Sequence, residues 1–448
     1  MAGSDRVHYH DAPKQSDLDR CVHCGLCLNA CPTYRELGVE MDSPRGRIYQ
    51  MVQVATGAAE IGESYKEHID LCLACRACET ACPSGVQYGR LVEAARAEIE
   101  EKSPPPLLAR FLRSAVFEYL LPSKVNLRMV GFLLHFYRIS KLQALVRGSG
   151  ILKLMGNLGK AEALAPEPES PSFFRWYGKV LPAIGEKKHR VAFLGGCMAN
   201  IFFARLNEAT VRVLQANGCE VSIPNDQTCC GALHVHAGLR EPARKLARQN
   251  IDALLGGNYD AIITNAAGCG STLKEYDELL EEDPEYAEKA VQFKKLMKDV
   301  TEFLTSIELN RAMGKVNRVV TYQDSCHLAH GQKIRSAPRT LLRAVPGLVF
   351  REMPMSDLCC GSAGIYNIVQ NEMSMAILET KMGHVNVVNP DIIVTANPGC
   401  MLQLRAGAKL HGRGQRVAHV VEILDEAYKN YHPKPGSSNS ADRAKSLK

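Results

Sequence analysis

Cys21-Val-His-Cys-Gly-Leu-Cys-Leu-Asn-Ala-Cys31-Pro32 and Cys72-Leu-Ala-Cys-Arg-Ala-Cys-Glu-Thr-Ala-Cys82-Pro83 decide the fold of the first hundred residues. Both spell C-x2-C-x2-C-x3-C-P. A [4Fe–4S] cubane takes four thiolates, and in paired runs of this form the fourth Cys ligates the cluster of the other run. The spacing therefore assigns Cys21, Cys24, Cys27 and Cys82 to one cluster, and Cys72, Cys75, Cys78 and Cys31 to a second. Structural zinc is the alternative for clustered cysteines. Its sites usually pair two short CxxC knuckles across a longer loop, whereas each run here is compact. A chain with two such clusters moves electrons.

Composition sets the frame around these runs. The 448 residues are enough for about three domains, and 46% hydrophobic with 23% charged residues is ordinary for globular cores. A net charge of +6 is too mild to argue for nucleic acid. Seventeen Cys in a chain with no visible secretory signal suggest metal ligands rather than disulfides, and point to the cytoplasm. No uninterrupted apolar run is long enough to predict a bilayer span.

Four folded segments and a tail are expected. Residues 1–102 read as a mainly helical ferredoxin-like domain, with helical spacing in Gly46–Val54 and Val86–Lys102. Residues 103–189 begin with two apolar helical runs, through Leu107, Phe111, Leu120 and through Leu127, Leu134, Leu145. From Glu101 to Gly159 there are nine Lys/Arg against two Asp/Glu. The favoured reading is a helical hairpin packed on the chain's own domains or on a partner subunit, its basic side solvated. Contact with an anionic membrane surface is the alternative. Residues 159–190, which include the only tryptophan, Trp176, read as linker, and the tail 431–448 as disordered.

The region 190–430 is an internal repeat, with halves at 190–310 and 311–430. Cys197, Cys229, Cys230 and Cys269 in the first half correspond to Cys326, Cys359, Cys360 and Cys400 in the second, offset by 129 to 131 residues. Short apolar runs such as Val191–Leu194 and Ile392–Thr395 end in small residues and then a Cys. Helical stretches such as Ala204–Ala216 alternate with them, which predicts an α/β sheet with the Cys beyond the carboxyl ends of the strands. The whole chain is thus an α+β multi-domain protein.

Each Cys-Cys-Gly pair is open to three readings. Vicinal cysteines strain a mutual disulfide, so metal ligation, by a further cluster or zinc, is easier; a dithiol redox site competes, and so does an inert buried pair. Cys219 fits no pattern and is given to the core. His234, His236, His327 and His330 follow these cysteines and read first as ordinary loop residues, with ligation or cluster tuning as the alternative; His23 reads as a tuning neighbour. Arg45 and Arg47 read equally as a solvated basic loop or as contacts to a cluster shell or an acidic partner. There is no G-x-G-x-x-G fingerprint and no P-loop, so the flavin chemistry is expected on another polypeptide.

The combination resembles the iron–sulfur subunit of bacterial glycolate oxidase. Cys31-Pro-Thr-Tyr34, Ser43-Pro-Arg-Gly-Arg-Ile-Tyr49, Leu358-Cys-Cys-Gly-Ser-Ala-Gly364 and Val394-Thr-Ala-Asn397 carry the likeness along with the two runs. Subunits of related lactate and glycerol-3-phosphate dehydrogenases and of heterodisulfide reductase share the plan. The resemblance implies a membrane-associated complex in which an FAD-bearing flavoprotein subunit oxidises glycolate to glyoxylate. This chain would relay electrons to a quinone or another acceptor, and would not oxidise glycolate alone. In the heterodisulfide reductase type each Cys-Cys-Gly domain ends in CxxC. Thr272 and Gln403 stand at that last position here, which puts a five-thiolate cluster, and with it disulfide reduction, in doubt.

Overall fold

The structure, a computed structural model, describes residues 11–140, 142–150 and 167–432. Residues 11–102 are mainly helical, and the helices are anchored by apolar faces. In the helix Pro44–Ala55, Ser43 caps the start by accepting the Gly46 N–H, and Ile48 and Met51 turn inward. The helix Tyr88–Lys102 buries Leu91, Val92, Ala95 and Ile99 against them, and Cys72 and Cys78 belong to the same core. Cysteines of the second run and apolar side chains thus share one small interior.

Two sheets follow. The first has the order β1-β3-β2-β4-β5, with β1 Lys179–Leu181, β2 His189–Phe193, β3 Cys219–Ile223, β4 Ala261–Thr264 and β5 Met297–Asp299. The second has the order β7-β6-β8-β9, with β6 Val319–Tyr322, β7 Val349–Phe350, β8 Ile392–Thr395 and β9 Arg416–His419. Apart from the antiparallel edge strand β1, all pairings are parallel. The equivalence of β2-β3-β4-β5 with β6-β7-β8-β9 is the predicted repeat in three dimensions. It extends to a detail: the helix after β5 opens with a capping box of Asp299 and Glu302, and the helix after β9 with one of His419 and Glu422.

The halves are fused. Side chains of both sheets, including Val191, Phe193, Val320 and Ile393, belong to one continuous core, and Arg212 makes a bidentate ion pair with Asp425 across the junction at 2.9 and 2.7 Å. Cys219 lies fully buried on β3, as a core residue.

One expectation needs correction, and a second is met only in part. The supposed linker is folded where it is described: Phe173 and Phe174 are buried in the core of the first sheet, and Lys179–Leu181 adds its edge strand. A three-residue strand is too short for alternation to register in the sequence. Nor does the hairpin bury both apolar runs on the chain itself. Phe117, Leu121 and Leu127 enter the core, but Leu107, Phe111, Phe132 and Phe136 stand in solvent. The proposed disordered tail from residue 433 lies outside the described residues, as does part of the linker.

Candidate metal centre

The two cysteine runs fold alike because both reverse handedness at the same places. His23 and Gly25 in the first run, and Ala74 and Arg76 in the second, have positive φ between 50° and 82°. Left-handed residues on either side of the middle Cys curl each loop so that its three leading sulfurs face one space. Gly25 adopts this freely, whereas Arg76 does so at a cost on the order of 1 kcal/mol.

Cys21, Cys24, Cys27 and Cys82 line one cavity, together with His23 and Arg45. Cys31, Cys72, Cys75 and Cys78 line a second, with Arg47, Arg76 and Tyr88. Each cavity therefore takes three Cys from one run and the last Cys of the other. The first is open, with Cys24 exposed, and the second is closed, with its four Cys buried.

The donor set fits an iron–sulfur group. Burial pushes the Cys21 and Cys27 thiols up, and the Cys75 and Cys78 thiols well up. Thiols in such surroundings stay protonated unless a metal centre supplies positive charge. Around the closed cavity, sulfur already has polar neighbours. The Ala74 N–H donates to Cys72 Sγ at 3.4 Å, Tyr88 Oη donates to it at 3.6 Å, and Thr33 Oγ1 lies 3.2 Å from Cys31 Sγ.

Of the readings of Arg47, the solvated loop does not hold, because the side chain lines the closed cavity. It is fully buried, and its guanidinium donates to Thr33 Oγ1 at 3.2 Å, Asp42 Oδ1 at 3.3 Å and the His68 carbonyl at 2.6 Å. Helix phase explains it: Arg47 lies on the inward face with Ile48 and Met51, while Arg45 points out, pairing with Glu40 and donating to the His23 carbonyl at 3.0 Å.

The Cys-Cys-Gly cysteines gather as two quartets. Cys197 and Cys269 follow the central strands β2 and β4, Cys326 and Cys400 follow β6 and β8, and each Cys-Cys pair arrives from the loop after β3 or β7. Adjacent central strands of a parallel sheet diverge in their connections, which opens a crevice at their carboxyl ends. Cys229 lies 3.5 Å from Cys197, sulfur to sulfur. Among the described residues, no three Cys, His, Asp or Glu side chains close around a single ion. The position where a fifth thiol would sit holds buried Gln403, whose amide donates to Ser374 Oγ at 2.9 Å.

The two quartets differ. Cys197 in the first is pushed well up by its hydrogen bond with Cys229 and by burial; for Cys230 a lowering by Cys229 is outweighed by Cys269 and burial, and Cys326 and Cys360 in the second are pushed well up likewise. In the second, Cys359 is pushed down by hydrogen bonds from Cys326 and Cys360 and by the charge of Lys381, and Cys400 by Cys360 and Asn397. Lys381 is buried, with Nζ donating to the carbonyls of Met355 and Ser356 at 2.9 and 3.0 Å, and burial brings it down to about 8. Nothing in the sequence singled out this lysine.

The histidines serve as struts. His234 Nε2 donates to the Phe117 carbonyl, and His236 Nδ1 meets Glu93 at 3.1 Å. His327 Nε2 donates to the Ala74 carbonyl at 3.0 Å, and His330 Nε2 donates to the Asp357 carbonyl, leaving Nδ1 to accept from Thr80 Oγ1 at 2.8 Å. Three of the four thereby tie the Cys-Cys-Gly halves to the ferredoxin-type domain.

A dicluster domain clamped against twin cysteine-rich sheets defines an iron–sulfur electron-transfer protein. Residues 17–86 match the 4Fe-4S dicluster domain family, 191–274 and 320–405 each match the cysteine-rich domain family, and 108–165 match the linker region of the glycolate oxidase iron–sulfur subunit. The chain is 43% identical over 419 residues to the probable glycolate oxidase iron–sulfur subunit of Bacillus subtilis (strain 168), covering 92% of this chain and 94% of that one. It is 35% identical to the glycolate oxidase iron–sulfur subunit of Escherichia coli (strain K12), with the same coverages. A fumarate reductase (CoM/CoB) subunit of Methanothermobacter marburgensis is 27% identical over 95% of this chain and 76% of its own length. The chain belongs to the glycolate oxidase iron–sulfur subunit family.

Proposed function

We propose that this chain carries electrons within a glycolate-oxidising complex. It takes them from an FAD-bearing flavoprotein subunit that converts glycolate to glyoxylate, and delivers them to a quinone or another acceptor from a peripheral position on the cytoplasmic face of a membrane. The observation that supports this best is the crossed grouping of the two cysteine runs in neighbouring cavities, one open and one closed. Cys21, Cys24, Cys27 and Cys82 would hold one [4Fe–4S] cluster, and Cys72, Cys75, Cys78 and Cys31 the other. Such clusters, when bound, take up and release single electrons, as a two-electron flavin requires of its partner.

The chain's own residues shape that role. Exposed Cys24 leaves the first site accessible to a flavoprotein subunit. Arg47, Tyr88 and the Ala74 amide place positive charge and hydrogen-bond donors around Cys31 and Cys72. Hydrogen-bonded Gln403 disfavours the heterodisulfide-reductase alternative, because it leaves no fifth thiol in the second half.

The test uses the assembled complex. The native chain should hold about eight irons, falling to about four in Cys24→Ser or Cys75→Ser. Both variants should lose glycolate-dependent quinone reduction while the flavoprotein subunit still binds glycolate. Glycolate oxidation by this chain alone, or undiminished quinone reduction in either variant, overturns the proposal.

A further inference from the structure

The helices Leu107–Ser114 and Lys124–Ile139 are rich in apolar residues, yet the first has no buried residue and the second buries Leu127 alone. The segment between them reaches the core through Phe117 and Leu121. An outer row on each helix is in solvent: Leu108 is 73% exposed, Phe111 69%, Met129 55%, Phe132 68% and Phe136 53%. These positions recur three, four and seven residues apart, so they form continuous stripes rather than scattered side chains.

Charge marks the same face. Between residues 107 and 148 the chain has seven Lys/Arg and one acid, Glu118. Arg113 and Arg138 are paired with Glu100 and Glu167. Arg110 and Arg128 are exposed beside the outer rows, with no ion pair among the described residues.

We propose that this face docks the chain on an anionic lipid surface, with both helices lying along the headgroups. The apolar rows would enter the acyl boundary while Arg110 and Arg128 reach back to lipid phosphates. No helix among the described residues is long and apolar enough to cross a membrane, so the contact is a surface one. A lipid surface fits better than a folded protein. Protein interfaces carry roughly one hydrogen bond per 100–200 Å², with donors and acceptors matched to a partner. Here the outer rows offer long apolar stretches edged by unpaired cations, with Glu118 as the one carboxylate. A uniformly negative plane complements that pattern without any matched acceptor.

The inference rests on the peripheral placement proposed above, and its test separates the two. The full cluster-loaded chain is floated with vesicles of phosphatidylcholine containing phosphatidylglycerol, and with vesicles of phosphatidylcholine alone. Binding is expected on the anionic vesicles and much less on the neutral ones. Arg110→Glu with Arg128→Glu should weaken it on the order of tenfold or more, and Phe111→Asp with Phe132→Asp should abolish it. Iron content and reduction of a soluble dye by the assembled complex should not change in either variant, because all four side chains are outside the core. Loss of dye reduction in the native complex would instead count against the electron-carrier reading alone. Equal binding to both vesicle types, no binding, or variants that bind like the native chain overturns the inference. So does loss of the flavoprotein subunit from the Phe variant with vesicle binding unmoved, which would assign the face to a protein.

Discussion

Cys75 of the second cysteine run and Cys359 of the second Cys-Cys-Gly pair share one buried apolar cluster, with Leu73, Ala77, Tyr366 and Ile377. No cysteine of the first quartet belongs to that cluster among the described residues. The closed cavity of Cys31, Cys72, Cys75 and Cys78 is therefore backed by the second half of the repeat, and the loop 71–80 is pinned there by Tyr366, His327 and His330.

Tyr366→Phe tests the pinning. Its hydroxyl donates to the Leu71 carbonyl at 2.9 Å, and deleting it should cost about 0.5–1.5 kcal/mol. Iron should leave the second cysteine set faster under a chelator, with the first set unaffected. Equal acceleration at both sets would mean that the tyrosine stabilises the whole domain instead.

Arg47→Leu should be far more damaging. It removes a buried cation whose partner, Asp42, is itself buried and keeps the His68 imidazole at 2.9 Å, and breaking a buried ion pair costs about 3–5 kcal/mol. Arg47→Leu combined with Asp42→Asn should recover part of the loss in thermal unfolding. A double variant no better than the single one would show that Thr33 and the His68 carbonyl, not the ion pair, dominate.

Gly46→Ala should disturb the same network sterically. A Cβ at Gly46 would lie 2.0 Å from the Glu40 carbonyl oxygen, so the 40–42 turn that carries Asp42 must move. A loss of about 1–3 kcal/mol or more is expected. Gly57→Ala is the control: its φ is +74° but nothing lies within 4 Å, so only backbone strain of about 1–2 kcal/mol applies. Equal losses in the two variants would remove the steric explanation.

How much of this was legible in the sequence follows from which interactions are local. Cysteine spacing and strand-ending patterns are local, so the dicluster domain and the two sheets could be read directly. Arg47 and Lys381 could not, because a cation on a helix is solvated by default and only tertiary contacts supply Asp42 to one and two backbone carbonyls to the other. The outer apolar rows at Phe111 and Phe132 were visible as apolar, but periodicity alone does not say which apolar positions face the core. The difference between the quartets was equally hidden, since their spacing is nearly identical and only tertiary packing brings Lys381 to the second and sets Cys75 in one buried cluster with Cys359.

His419 gives the pH prediction. It is fully buried, its Nδ1 accepts the Val421 N–H at 3.2 Å to cap the helix Val420–Lys429, and burial pushes the imidazole down to about 4. The unfolded chain titrates it near 6.5, so the folded state prefers the neutral ring. Its contribution to stability is complete above about pH 6.5 and is lost as pH falls from there towards 4. Protonation also deprives Nδ1 of the lone pair that makes the cap. The loss by pH ~5 should be about 2 kcal/mol. His327, also brought down to about 4 by burial, acts in the same direction and remains in the variant. His419→Asn keeps a capping oxygen and cannot titrate. Its unfolding midpoint should therefore fall less than the native chain's between pH ~7 and pH ~5; parallel midpoints would show that His419 does not titrate on unfolding in this window.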